Sequence, residues 1–126
     1  MILIQEGNLK MQIGIDLVEH KDIINKDERF IQRVLSEQEY IYFCSIQNKK
    51  RKIEYVASRF ACKEAIFKCY KSSSSGCNFS DISILNKENG APFVLIHNKK
   101  VELQISLSHT DNYSIAVAIL PLNDDD

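Results

Sequence analysis

Apolar and polar residues alternate along the first clear element of the chain. In MQIGIDLVEH at 11–20, three apolar residues alternate with Gln12, Gly14 and Asp16, a period of two that predicts a β-strand. The apolar residues are Ile13, Ile15 and Leu17. Two short helices are predicted next. The first carries apolar residues at helical spacing over 30–35, and the second begins at a capping box formed by Ser36 and Glu39.

The longest predicted element is a helix over residues 50–71. This segment has no glycine or proline, and its apolar residues recur at intervals of three and four. Serines and a glycine at 72–76 then predict a surface loop. Two β-type runs follow, at 79–85 and 93–97, and between them lies Asn89-Gly90, a dipeptide typical of hairpin turns.

Two further strands, at 101–108 and 113–120, complete the predicted elements. The second is apolar enough for us to expect burial on both of its faces. The order of elements predicts an α+β fold, with a long helix packed on a small, mainly antiparallel sheet. We predict one domain over 11–122, an N-terminal extension at 1–10 and a disordered acidic tail at 123–126.

Composition limits the class of protein. Of the 126 residues, 44% are apolar and 26% are charged, which excludes disorder over the whole length. No run approaches the roughly 18 uncharged apolar residues of a spanning helix, and the first 16 residues lack the pattern of a signal peptide. The four cysteines include no Cys-x-x-Cys pair, so we expect reduced, mostly buried thiols. These features predict a cytoplasmic protein that does not bind membranes.

Positive charge is concentrated in one part of the chain. Residues 49–71 carry a net charge of +6 and the remainder carries −7, although the total is only −1. A field of one sign indicates an anionic partner. The acidity of the remainder argues against a dedicated nucleic-acid binder, so we predict no nucleic-acid partner.

Two acidic residues have both a structural and a functional interpretation. Glu64 lies amid basic residues at helical spacing, namely Arg59, Lys63 and Lys68. These residues form either surface salt bridges or a site in which Glu64 holds a divalent cation while the basic groups bind phosphates. Asp16 is either an exposed strand residue or, if the strand meets the middle of the helix, a second oxygen ligand for that cation.

The histidines give weaker signals. His109 ends a strand within SLSHT, where it is either a hydrogen-bonded turn residue or a catalytic group. His20 and His97 have no motif around them, and we interpret both as structural. The absence of a nucleophile elbow, a zinc-protease motif or a P-loop in the sequence argues against those enzyme classes.

Several segments taken together resemble the holo-[acyl-carrier-protein] synthases, a family of 4′-phosphopantetheinyl transferases. They are IGIDLVE at 13–19, RF and RVL within 29–35, ASRFACKEAIFK at 57–68, NGAP at 89–92 and SLSHT at 106–110. The segments follow the order of the family, and the likeness as a whole covers residues 11–120. The resemblance implies transfer of 4′-phosphopantetheine from coenzyme A to a serine of apo acyl carrier protein in fatty-acid biosynthesis, with release of adenosine 3′,5′-bisphosphate. It also implies Mg²⁺ as cofactor and a homotrimer with active sites between subunits.

The resemblance implies a role for each matching residue. Asp16 and Glu64 match metal-binding acids, and Lys68 matches a lysine at the transferring phosphate, so these three are the predicted catalytic residues. The predicted coenzyme A-binding residues are Arg59, Lys63, Lys68, His109 and Thr110. The predicted docking residues for the carrier protein are Arg29, Arg33 and Arg51. The proton of the carrier serine can pass to Glu64 directly or to a metal-bound water, and the sequence leaves both routes open.

Three positions depart from the family pattern. Asp22 stands where many members have an arginine, which would shift carrier recognition toward Lys21 and Lys26. The loop at 71–76 has fewer glycines than usual, and Ala91 replaces a lysine. Two alternatives therefore stay open: a transferase for polyketide or peptide synthetase carriers, and an inert paralogue that binds coenzyme A or a carrier.

Overall fold

Residues 10–70 and 77–122 are described by a computed structural model. Most of the predicted extension, the serine loop and the acidic tail lie outside these residues. In chain order the elements are β1 (Lys10–Glu19), α1 (Lys21–Ile24), α2 (Glu28–Val34), α3 (Glu37–Ser45), α4 (Lys49–Tyr70), β2 (Ile82–Asn86), β3 (Pro92–Ile96), β4 (Lys99–Lys100), β5 (Gln104–His109) and β6 (Tyr113–Leu122).

The described strands form two antiparallel sheets of three strands each. The first sheet has the order β1-β6-β5 and the second has the order β2-β3-β4. Strands β1 and β6 pair over their whole length, from Lys10 opposite Leu122 to Glu19 opposite Tyr113. Helix α4 packs on the first sheet, chiefly on β1 and β6. The predicted α+β fold, with a long helix on an antiparallel sheet, is confirmed.

Helix α4 contributes small side chains to the core between helix and sheet. Ala57, Ala61 and Ala65 are fully buried, and they belong to the same apolar core as Ala116 and Ala118 of β6. Small side chains let the backbones of a helix and a sheet approach closely, because little atomic volume separates them. The middle turns of α4 therefore pack close to the backbone of the sheet.

Gly14 marks the closest approach of β1 to α4. A Cβ atom at this position would lie 1.9 Å from the carbonyl oxygen of Ala65 and 3.0 Å from Cβ of Lys68. No side chain fits there unless the strand or the helix moves. Asp16 lies two residues further along β1 and therefore on the same, helix-facing side of the strand.

The opposite side of the first sheet is apolar and exposed. Ile13, Ile15 and Leu17 are 55–59% exposed, and we define the outer apolar face by these residues together with Met11, Tyr113 and Ile115. The prediction that the last strand is buried on both faces is wrong for the described chain. Alternate residues of β6 are exposed at its start because α4 covers only one side of the sheet.

Local features of the other elements match the sequence in part. The capping box of Ser36 and Glu39 is present at the start of α3, and the hairpin between β2 and β3 turns at Gly90, whose φ is +90°. Residues Phe79–Asp81, however, form a 3₁₀ helix and delay the start of β2. Elements α1 and β4 were not predicted, because four and two residues are too few to show a periodicity.

The four cysteines are free thiols, and the prediction that most of them are buried holds for two. Cys62 and Cys69 are buried, whereas Cys77 is partly exposed and Cys44 is exposed. Burial raises the pKa of the Cys62 thiol to about 12, so this residue packs in the core as an unreactive apolar group. Among the described residues, no helix combines the length and the apolar character needed to cross a bilayer.

We expect Gly14→Ala to destabilise the fold by about 3 kcal/mol, because the added methyl group meets backbone rather than a movable side chain. Chemical denaturation of both proteins measures the difference in free energy of unfolding. Lys10→Ala, at the exposed start of the same strand, serves as the control and should change that free energy little. An unchanged stability of Gly14→Ala would contradict the close contact.

Candidate active site

Asp16 and Glu64 line the same cavity, between the end of β1, α1, α2 and α4. The cavity has a volume of about 440 Å³. We call it the acid cleft, and the lining residues used below are Asp16, Asp22, Lys26, Phe30, Phe60 and Glu64. The structure therefore brings together two acids that are far apart in the sequence.

The contact at Gly14 explains this convergence. Side chains alternate along β1, so Asp16 points to the same side as Gly14, toward α4. Glu64 immediately precedes Ala65, whose carbonyl oxygen abuts Gly14. Strand β1 and helix α4 touch at this point, so Asp16 and Glu64, which lie beside it, both line the acid cleft.

Lys68 lies one helical turn after Glu64 and bridges back to the strand. Its Nζ donates hydrogen bonds to the carbonyl oxygen of Ile15 at 2.8 Å and to Oδ1 of Asp16 at 3.3 Å. An ammonium group has three N–H donors, so one remains for a further acceptor. The side chain is about half exposed. Among residues 10–70 and 77–122 no acceptor takes the third donor, so it is open to an anionic ligand at the edge of the cleft.

The electrostatics of the acid cleft favour a cation. Burial raises the pKa of Glu64 above its ordinary value, the negative charge of Asp16 raises it further, and Lys68 opposes both effects. Two carboxylates whose repulsion is not fully neutralised are suitable ligands for a hard divalent ion. Magnesium fits this donor set, since it takes few protein oxygens and completes its coordination with water and phosphate oxygens.

A second cavity, of about 410 Å³, is lined by basic and aromatic residues. We call it the basic cavity, and its principal residues are Arg51, Glu54, Tyr55, Arg59 and His109. The guanidinium carbon of Arg59 lies 4.3 Å from the ring centre of Tyr55, and its Nη2 donates to the carbonyl oxygen of Ile84 at 3.1 Å. The basic cavity has no lining residue in common with the acid cleft.

Glu54 is a residue of the basic cavity that the sequence analysis missed. Its Oε1 lies 3.2 Å from Nε2 of His109 and 3.7 Å from Nη1 of Arg51. This carboxylate holds both basic side chains at the rim. The spacing of Arg51 and Glu54 on one helix face was visible in the sequence, but the contact with a distant strand was not.

The structure corrects the prediction for Lys63, whose side chain is fully buried and reaches neither cavity. Its Nζ donates to Oε1 of Glu39 at 2.5 Å and to the carbonyl oxygens of Val34 at 2.7 Å and Phe79 at 3.0 Å. All three donors are therefore in use, and none is left for a phosphate. Lys63 supports the fold, and its ammonium group has no free N–H for a coenzyme A phosphate in this structure.

Glu39, the partner of Lys63, is also fully buried and joins several elements. Besides Lys63, its carboxylate accepts the backbone N–H of Ser36 at 2.9 Å and that of Ile84 at 2.8 Å. Nε of Arg59 lies 3.9 Å from the same carboxylate. One acidic side chain thus connects the start of α3, the middle of α4 and β2. It also lies beside Nε of Arg59, whose guanidinium group reaches the basic cavity.

The remaining predicted residues occupy several positions. Thr110 closes the turn between β5 and β6, where its Oγ1 accepts the N–H groups of Asn112 and Tyr113 at 3.2 and 3.1 Å. Arg29 and Arg33 are exposed on α2. The third predicted docking residue, Arg51, belongs to the basic cavity, so the three arginines are divided between two elements.

His20 is buried, in agreement with a structural interpretation. Its Nδ1 lies 3.0 Å from the carbonyl oxygen of Asp111, and its Nε2 lies 2.8 Å from Oγ of Ser114. These bonds fasten the end of β1 to the turn before β6. Both ring nitrogens have a partner, so His20 links the end of β1 to the β5–β6 turn.

Comparison with known proteins gives a consistent result. The model of the 4′-phosphopantetheinyl transferase superfamily matches residues 12–118. The chain is 40% identical over 110 residues to the holo-[acyl-carrier-protein] synthase of Acholeplasma laidlawii, covering 86% of this chain and 93% of that protein. It is 42% identical over 113 residues to the synthase of Enterococcus faecalis, with coverage of 86% and 94%.

Solved structures of the same kind share the fold. The crystal structure of a holo-(acyl-carrier-protein) synthase from Bacillus anthracis, in complex with CoA (3′,5′-ADP), superposes with a TM-score of 0.78 at 30% identity. The superposition covers 89% of this chain and 98% of that one. A structure of the Helicobacter pylori synthase in complex with coenzyme A gives a TM-score of 0.69 at 27% identity, with coverage of 87% and 99%.

The chain therefore belongs to the 4′-phosphopantetheinyl transferase superfamily. Its fold brings Glu64 of the long basic helix together with Asp16 of the neighbouring strand. Within that superfamily its relatives are holo-[acyl-carrier-protein] synthases, and they match nearly the whole described chain. The family and the enzyme class predicted from the sequence are confirmed.

We expect Glu64→Gln to raise the melting temperature of the metal-free protein at neutral pH. Because the fold raises the pKa of Glu64, the ionised side chain is less favourable in the folded than in the unfolded state, and a neutral amide removes that cost. The gain should disappear in acid, below the ordinary glutamate pKa, where Glu64 is protonated in both states. Thermal denaturation at several pH values measures it.

Glu54→Gln is the matched control, since Glu54 and Glu64 are the two acids on α4. Glu54 contacts two basic groups, so its replacement should lower the melting temperature or leave it unchanged. Magnesium should raise the melting temperature of the unsubstituted protein but not of Glu64→Gln. A lower melting temperature of metal-free Glu64→Gln at neutral pH would contradict the repulsion in the acid cleft.

Proposed function

We propose that this chain transfers the 4′-phosphopantetheine arm of coenzyme A to a serine of apo acyl carrier protein, for fatty-acid biosynthesis, with Asp16 and Glu64 as the ligands of Mg²⁺. The observation that carries the proposal is the shared cavity of these two acids, in which burial raises the pKa of Glu64 and the charge of Asp16 raises it further. Relatives with this activity match 86% of the chain, and two solved relatives bind coenzyme A or a part of it.

Asp16, Glu64 and Lys68 then have distinct roles in the transfer. Asp16 and Glu64 supply carboxylate oxygens, and a bound Mg²⁺ would neutralise negative charge on the diphosphate of coenzyme A. Lys68, which is held by the carbonyl oxygen of Ile15 and by Asp16, directs its remaining N–H to a phosphate oxygen. Lys68, together with a bound Mg²⁺, would stabilise the negative charge that develops on the departing adenosine bisphosphate.

The transfer exchanges one phosphorus–oxygen bond for another. The serine oxygen of the carrier bonds to the phosphorus that bears the pantetheine arm, and the bond from that phosphorus to the adenosine 3′,5′-bisphosphate oxygen breaks. The serine proton leaves toward Glu64 or a water in contact with it. The bisphosphate departs with the electron pair of the broken bond.

We assign the bisphosphate half of coenzyme A to the basic cavity. Arg51 and Arg59 offer the cations that a 3′-phosphate requires, and Tyr55 already stacks on Arg59 there. His109 offers a ring nitrogen as a hydrogen-bonding group in the same cavity. Glu54 keeps Arg51 and His109 at the rim. Thr110 stands next to His109 in the turn and is retained as a binding residue.

The carrier protein is proposed to dock on α2. Arg29 and Arg33 are exposed there, and Phe30, which follows Arg29, lines the acid cleft. Helix α2 therefore borders the point of transfer. Exposed arginines attract an acidic partner and set its orientation. Asp22 and Lys26 line the same cleft and are the positions at which recognition would differ from that of relatives.

We further propose a homotrimer in which each active site lies between two subunits. The acid cleft and the basic cavity share no lining residue, so one chain does not present them as a single site. The outer apolar face leaves several large side chains about half exposed, and a protein surface of this kind is typical of an interface. A cytoplasmic location completes the proposal, in line with four free thiols.

The activity is tested by incubating the protein with coenzyme A, Mg²⁺ and an apo carrier. Mass spectrometry then measures whether the carrier has gained the mass of the 4′-phosphopantetheine arm. We expect Asp16→Asn and Glu64→Gln to lower the transfer rate about a hundredfold or more while the circular dichroism spectrum stays unchanged. The control is Glu102→Gln, at an exposed position, which should retain full activity. Full activity of Glu64→Gln would contradict the metal role.

The same assay separates the alternatives. Parallel reactions with the carrier of fatty-acid synthesis and with polyketide or peptide synthetase carriers show which one gains the mass of the arm. If no carrier is modified although coenzyme A binds, the chain is an inert paralogue.

The subunit arrangement is tested by complementation. Glu64→Gln disables the acid cleft and Arg59→Ala disables the basic cavity, so each variant alone should be inactive. Co-expressed in equal amounts, they should regain about a quarter of the unsubstituted activity, because one site in four joins two intact halves in a cyclic assembly. Two variants of the acid cleft, Asp16→Asn and Glu64→Gln, should not complement each other. No recovery in the first pair would contradict the shared site.

A further inference from the structure

We propose that Cys77, Asp81 and His97 form a binding site for a transition-metal ion, with Zn²⁺ as the ion of choice. One ligand atom from each residue lies within 4.8 Å of the others. Thiolate sulfur, carboxylate oxygen and imidazole nitrogen are the ligands by which proteins hold zinc. This site is separate from the proposed transfer reaction and does not depend on it.

Two of the three ligands are close in the sequence, and strand pairing brings the third to them. Cys77 precedes the 3₁₀ helix Phe79–Asp81, Asp81 ends that helix, and His97 lies in the turn between β3 and β4. Strand β2 starts at Ile82, which pairs with Ile96 of β3, so Asp81 and His97 lie side by side at the end of that ladder. The pairing of β2 with β3 therefore brings the imidazole to the other two ligands.

Asp81 and His97 are held in place by bonds that leave their ligand atoms available. Oδ2 of Asp81 accepts the backbone N–H of Asn78 at 2.8 Å, and the backbone N–H of His97 donates to the carbonyl oxygen of Asp81 at 2.9 Å. Oδ1 of Asp81 then lies 3.9 Å from Nδ1 of His97. This is too long for a hydrogen bond.

That separation is close to what a shared ion needs. Two ligand atoms at zinc-binding distance in a tetrahedron are roughly 3.4 Å apart. Oδ1 of Asp81 and Nδ1 of His97 would need to approach by about half an ångström, which small side-chain rotations supply. A water molecule can take the fourth position, as in sites with three protein ligands.

His97 lies in a tight two-residue turn. His97 and Asn98 both have positive φ, of 51° and 65°, and connect Ile96 to its partner Lys99. Histidine, like asparagine, is enriched at positive φ, so this turn holds the imidazole at the end of β3 without strain. The side chain is 58% exposed, so an ion can reach it from solvent.

The ligand set also distinguishes this site from the acid cleft. A thiolate and an imidazole favour zinc and related ions, whereas two carboxylates favour magnesium. The protein would therefore hold two different metals at two different places. A bound zinc would tie the chain that follows α4 to the 3₁₀ helix and to the β3–β4 turn.

Cobalt(II) is the probe, because a thiolate ligand gives it a charge-transfer band in the near ultraviolet. We expect one equivalent of Co²⁺ to produce this band in the full chain under a non-coordinating reductant, and one equivalent of Zn²⁺ to abolish it. Zinc should also raise the melting temperature. The same band should appear in Glu64→Gln, which shows that it does not come from the acid cleft.

Variants identify the ligands. Cys77→Ser should lose the band, while Cys44→Ser, which removes the exposed thiol of α3, should keep it. His97→Asn should fold normally, since asparagine accepts the left-handed backbone conformation, but should bind Co²⁺ at least tenfold more weakly. Circular dichroism checks the fold of each variant. Absence of the band in the unsubstituted chain, or its survival in Cys77→Ser, would overturn the proposal.

Discussion

The geometry of the acid cleft depends on one close contact between strand β1 and helix α4. At Gly14, strand β1 approaches α4 so closely that a Cβ atom would overlap the carbonyl oxygen of Ala65. The contact fixes the position of β1 along α4, and Asp16 and Glu64 lie immediately beside it. A precise separation of two carboxylates is what a metal site needs, and packed backbones provide it more rigidly than loops do.

Two lysines on α4 show how burial divides roles among like residues. Lys63 and Lys68 have the same charge, but the first has all its donors bonded within the core and the second lies half exposed beside the acid pair. The buried ion pair of Lys63 and Glu39 joins α3, α4 and β2. Because a buried charge without its partner is very unfavourable, this pair serves to fix the arrangement of the elements around the site.

Much of the fold was predictable because its signals are local. The span of α4, the capping box at Ser36 and the hairpin at Gly90 follow from periodicity, side-chain capping and glycine conformation. The burial of Lys63 and the contact of Glu54 with His109 were not predictable, because they depend on which element covers which face. The same limit explains the error for β6: periodicity reveals an apolar strand but not whether one side or both are covered.

An anomalous-difference map from a crystal soaked with Mn²⁺ in place of Mg²⁺ shows directly whether Asp16 and Glu64 share one divalent ion. We expect a peak within bonding distance of a carboxylate oxygen from each of the two residues. A peak that contacts only one of them, or no peak in the acid cleft when the ion is bound elsewhere, would contradict it.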